Sequence, residues 1–185
     1  MGLIRFILAI AVVLCHTTTI NGFSPVSGNT AVQCFYIISG FYMSLVLNEK
    51  YIGKNSLETF YTNRALKIYP IYWFVLIASL LWSFMVYKLG YPGVLKQYAD
   101  NSPLATSTTV YLALSNIFII GLDWIFLFGL KDGKMFFTKD FNSSKPALYT
   151  FAFNSIAWTV GVELMFYFIA PFIHGVGFTY KAISA

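Results

Sequence analysis

Five charged or imidazole side chains interrupt stretches that are otherwise apolar: Arg5 and His16 in one, Asp123 in a second, and Glu163 and His174 in a third, where His174 falls near an outer end as an interface residue. A charge at the middle of a membrane-crossing helix costs about 2.5–3.5 kcal/mol on insertion scales, so such groups face a protein interior or a wet cavity. The ordinary pKa of imidazole lies near neutrality, which suits His16 to take up or release a proton. Arg5 lies eleven residues before His16. In a helix that spacing puts the two within about 20° of one face and about 16.5 Å apart along the axis. They mark the ends of one polar stripe, the cation toward the inside and the imidazole toward the outside. Two structural roles stand beside the chemical ones. Arg5 can reach the inner headgroups as a topology signal, and His16 can be held by the hydroxyls of Thr17–Thr19 at the outer interface.

Glu163 falls about 10 Å into its stretch, counted from Ile156 at 1.5 Å per residue, and Asp123 also falls in an inner half. Either carboxylate can pair with Arg5 or Arg64, or can position a cation or a substrate. Residues 56–69 carry Leu57, Tyr61 and Ile68 on one helical face, with Phe60 beside them. Arg64 lies on that face, about 20° from Leu57. An arginine on the apolar side of an interfacial helix calls for a buried anion or a lipid phosphate. With Lys67 near the edge of the face, the pair has the form of a phosphate clamp, since guanidinium grips phosphate oxygens in a bidentate fork. Ordinary enrichment of cytoplasmic loops in basic residues accounts for the same two charges.

The elements that must hold these groups follow from composition. Of 185 residues, 58% are hydrophobic, 19% aromatic and 10% charged, against about 25% charged in a soluble domain. That excludes a disordered chain, a charged coiled coil and a nucleic-acid-binding tail, and a soluble globule of this size could not hide so much apolar surface. The net charge of +5 is a matter of placement about a lipid bilayer, not of DNA. Five stretches approach the 17–25 residues that a spanning helix needs: residues 3–20, 31–47, 68–87, 110–130 and 155–178. They predict an all-α polytopic bundle over residues 1–185, without a soluble domain. The first stretch reads as a retained helix: no small-residue cleavage site follows it, Leu14 precedes Cys15, and Phe6 stands where a myristoylation signal has Ser or Thr. Five crossings put nine basic residues (Arg5, Lys50, Lys54, Arg64, Lys67, Lys131, Lys134, Lys139 and Lys145) on the side of the N-terminus and three (Lys88, Lys96 and Lys181) on the other. This predicts a cytoplasmic N-terminus. A re-entrant segment within residues 100–150 would change the parity. Cys15 and Cys34 lie in apolar runs as inert thiols, and the sequence holds no metal-ligand set, cofactor motif or nucleotide loop.

Four local patterns, in order, resemble the membrane-bound acyltransferase 3 family. They are Arg5–ten residues–His16; Phe35-Tyr36-Ile37-Ile38-Ser39-Gly40-Phe41; the basic segment Arg64-Ala65-Leu66-Lys67-Ile68-Tyr69-Pro70-Ile71-Tyr72-Trp73; and Trp158-Thr159-Val160-Gly161-Val162-Glu163 followed by Phe166-Tyr167. The resemblance implies an integral membrane O-acyltransferase that moves an acyl group, often acetyl, from cytoplasmic acyl-CoA to a hydroxyl of an exported or cell-surface carbohydrate. It implies His16 as the catalytic histidine, Arg5 as its partner, Arg64 and Lys67 beside the donor phosphates, and Glu163 as an acidic site residue. It also implies a bacterial inner membrane. The family's membrane domain has about ten helices, so the chain resembles an N-terminal half, with a second half as a possible partner. Three positions depart from the pattern: Asn63 replaces a frequent arginine, Leu164 a frequent second glutamate, and Thr159 a serine. A non-enzymatic membrane scaffold or transport component, and an inactive remnant of the enzyme, are the alternatives to the acyltransferase.

Overall fold

The structure is a computed structural model that describes residues 2–16, 28–51, 53 and 55–173; for Arg5, Val13, Cys15, His16 and Asn29 it describes the backbone alone. The chain is mostly helical. Among the described residues three helices are long and apolar enough to cross a membrane: Thr30–Lys50, Ser56–Lys88 and Ser155–Ile173. The chain divides into two compact units, Met1–Tyr61 with Phe166–Ala185, and Thr62–Met165.

In the first unit, α1 (Gly2–His16) packs on α2 (Gly28–Lys50). The buried positions of α2 are Ala31, Ser39, Met43, Val46 and Leu47. Their spacing of about four residues forms one helical face. An aromatic cluster closes the unit. The Phe60 ring meets Tyr51 edge-on at 5.2 Å and Tyr167 at 6.4 Å, and the Tyr61 hydroxyl donates to the Phe168 carbonyl at 3.0 Å.

The predicted interfacial helix before the third span and the span itself are one element. It is α3 (Ser56–Lys88), which continues through Pro70. Proline removes one backbone donor from a helix but leaves the remaining hydrogen bonds in place. At 33 residues, α3 is about 50 Å long and exceeds the roughly 30 Å hydrocarbon layer.

The second unit departs most from the sequence reading. Residues 110–130 are not a continuous helix. α5 (Thr106–Phe118) has 13 residues, about 20 Å, which is too short to cross. It stops at Ile119, which takes a left-handed conformation (φ 66°). A 3-10 stretch, Leu122–Leu127, leads into a hairpin of β1 (Phe128–Lys131) and β2 (Lys134–Phe137). Asp132 (φ 49°) and Gly133 (φ 73°) turn that hairpin, the positive pair that a tight two-residue connection requires. The turn returns to the start of α5: the Gly133 carbonyl accepts from the Ala105 amide and the Thr108 hydroxyl, both at 2.9 Å. Residues 105 and 133, assigned to opposite faces by five crossings, are hydrogen-bonded neighbours. The count of nine basic residues against three, which places 105 and 133 apart, therefore does not orient the chain.

Candidate functional site

Both positions of the first pattern lie in α1, one uninterrupted helix over Gly2–His16. The eleven-residue spacing is thus a helical spacing. The side chains of Arg5 and His16 lie outside the described residues, as does all of His174.

The second and fourth patterns meet in the first unit. A Cβ on Gly40 would stand 3.8 Å from the tip of the Phe166 ring, so the small residue of the Ser39-Gly40-Phe41 run seats an aromatic of α6 (Trp158–Ile173). The adjacent Tyr167 is buried against Phe60.

The third pattern lies on α3. Its sheltered and exposed positions follow the expected face: Phe60 is buried, Tyr61, Arg64 and Ile68 are half-buried, and Asn63, Leu66 and Lys67 are exposed. The Nε atom of Arg64 is shielded from solvent. Arg64 and Lys67 therefore offer two kinds of cation, a sheltered fork and an exposed ammonium. Beyond them, α3 grips the last turn of α5. Tyr69 donates to the Phe118 carbonyl at 3.0 Å, Trp73 Nε1 to the Ile117 carbonyl at 3.0 Å, and Tyr72 to the Asn116 carbonyl. The last carbonyls of a helix have no partner within it, and α3 supplies three. The Asn116 side chain ties the same point inward, donating to the Leu112 carbonyl at 2.8 Å and accepting from the Phe153 amide at 2.9 Å.

The turn that follows carries Asp123 to the fourth pattern. A Cβ on Gly161 of α6 would lie 3.1 Å from the Ile119 carbonyl oxygen and 3.4 Å from Asp123 Oδ1. Asp123 thus lies beside a bare patch of helix, two residues before Glu163. Oδ1 is buried and has no hydrogen-bond partner among the described residues. Burial pushes the Asp123 carboxyl above its ordinary range, opposed by a backbone hydrogen bond, which favours the proton-bearing form. Glu163 is half-buried, and the Trp158 ring packs edge-on against Phe126 at 5.7 Å. Leu164, where a second glutamate was expected from the resemblance, is a buried core side chain.

The packing roles of Gly161, Tyr72 and Asn116 were not read from the sequence, although Gly161 and Tyr72 stand inside the fourth and third patterns. For Gly161 a signal existed: an interior helical glycine costs about 1 kcal/mol against alanine and implies a packing reason.

The family model for the acyltransferase domain known as acyltransferase 3 matches residues 1–183. The chain belongs to that family. No curated protein and no solved structure matches it. Membership in the acyltransferase 3 family, together with three helices long and apolar enough to cross a bilayer, makes the chain a membrane acyltransferase.

Proposed function

We propose that this chain carries the donor side of an O-acyl transfer from acyl-CoA to a hydroxyl of an exported carbohydrate in a bacterial inner membrane. The observation that carries the reading is the family match over residues 1–183, with the Arg5–His16 pair inside a single helix. Arg64 and Lys67 hold the donor phosphates, with Arg5 on the same cytoplasmic side. His16 takes the proton of the acceptor hydroxyl as its oxygen attacks the thioester carbonyl. The oxygen–carbon bond forms, the carbon–sulfur bond breaks, and the proton passes to the departing thiolate. Glu163 orients a cation of the site. The Arg5 and His16 positions lie about 16.5 Å apart on α1, so the two side chains serve different parts of the reaction. The short connection between α2 and α3, with Lys50, Arg64 and Lys67 on or beside it, supports a cytoplasmic placement, since short loops weigh most in that rule.

The test is His16→Ala beside Arg64→Ala in membranes supplied with radiolabelled acyl-CoA. His16→Ala is expected to abolish transfer while insertion and expression persist. Arg64→Ala is expected to raise the donor KM more than it lowers kcat. Full transfer by the His16 variant overturns the assignment.

A further inference from the structure

On the far side of the hairpin from the Asp123 turn in sequence, three loops border an open cleft of about 740 Å³. Its walls include Asn101 and Ser102 from the connection between α4 (Val94–Asp100) and α5, Lys131 from the hairpin, and Ser143 and Lys145 from the loop after β2. The volume falls in the range of small-molecule sites, about 300–1,000 Å³. Beside Pro103, Leu130, Phe136 and Pro146, this one presents ammoniums, hydroxyls and a carboxamide, so its ligand carries polar groups as well as an apolar face. Lys131 and Lys145 line it against a single carboxylate, Asp132. Two positive charges against one negative leave one positive charge, which selects an anion.

The walls are braced before any ligand arrives. The Gly133 carbonyl holds the hairpin tip to the start of α5 through two hydrogen bonds of 2.9 Å. Across the cleft, the Ser143 hydroxyl donates to the Asp140 carbonyl at 2.6 Å, and Asp140 Oδ1 accepts from the Asn142 amide at 3.0 Å. The Asn101 Nδ2 donates to the Gln97 carbonyl at 2.8 Å, which fixes the carboxamide with its oxygen available to a ligand hydroxyl. Phe136 contributes a half-exposed ring, 41% accessible, as a flat apolar surface beside these polar groups. A rigid polar cleft with one aromatic face and paired ammoniums matches a rigid polyol that carries negative charge.

We propose that this cleft is a binding site for an anionic saccharide, held by Lys131 and Lys145 through its acidic group and by Asn101 and Ser143 through its hydroxyls. The choice of a saccharide among polyhydroxylated anions rests on the acceptor class proposed above. The cleft itself is independent of acyl transfer, so binding and reaction can fail separately.

The experiment is titration of the full chain in detergent micelles with trigalacturonate, neutral galactotriose, inorganic phosphate and CoA. Trigalacturonate is expected to bind about tenfold or more tightly than the neutral trimer, as charge-assisted hydrogen bonds require. Lys131→Gln with Lys145→Gln should remove that difference without lowering the unfolding temperature, because both side chains are exposed. Ser143→Trp, which fills the cleft, should block both sugars. Equal affinity for charged and neutral trimers, wild-type binding by the double lysine variant, or displacement of trigalacturonate by CoA or by phosphate at equal concentration each overturns the proposal. Binding that persists in a His16→Ala variant unable to transfer acyl groups supports the cleft even where the reaction is lost.

Discussion

Gly161 is the residue at which helix packing leaves least freedom. Any side chain there must displace the Ile119 carbonyl, only 3.1 Å from the Cβ position, and crowd Asp123 Oδ1. Gly161→Val is expected to destabilise the chain by about 1–3 kcal/mol, the usual range for overpacking, read as a lower unfolding temperature in detergent. Asn116 is the second such point. It is buried and satisfies partners on two segments. Asn116→Leu strands the Phe153 amide, and a buried group left unsatisfied costs about 1–3 kcal/mol; the same melting measurement reads it. Arg5, His16, Arg64, Lys67 and Glu163 stand out by type and spacing, because ionisable groups are conspicuous against an apolar background. The packing roles of Gly161, Asn116 and Tyr72 do not, because they depend on a neighbouring element whose position no local pattern encodes.

At the scale of the element, hydropathy located α2, α3 and α6 but misjudged residues 110–130. Its 21 residues hold one charge, and hydropathy cannot see a chain that enters and turns back. The turn rests on Ile119 in the left-handed region, where a β-branched residue is an outlier, so no glycine or asparagine announces the end of α5. By contrast, the Asp132-Gly133 pair is a recognisable hairpin signal, hidden here because the surrounding residues read as a loop. Gly133 combines a positive φ with a Cβ position 2.8 Å from the Pro103 carbonyl oxygen. Gly133→Val should therefore loosen the hairpin from α5 at a cost of about 1–3 kcal/mol. Amide exchange at Ala105, whose N–H donates to the residue-133 carbonyl, measures the loss, with protection at Leu112 expected to remain.

For the whole molecule, the hydrogen bonds between residues 105, 108 and 133 are a statement about topology. Cysteines introduced at Ser102 and Lys139 should react with a membrane-impermeant maleimide from the same face of the membrane. Five full crossings require opposite faces, so labelling from opposite faces would refute the returning path of α5. The all-helical expectation is corrected on the same ground: the two-stranded hairpin stands among helices because the returning chain needs a tight reversal before it can reach α6.

Tyr69, Tyr72 and Trp73 clasp three consecutive carbonyls of α5 from a single turn of α3. That clasp makes the two helices one lever. Arg64 sits on the same shaft, a little more than one turn before Tyr69, and the turn bearing Asp123 leaves from the clasped end of α5. The seam where that carboxyl leans on Gly161 is thus set from a point that α3 holds fixed.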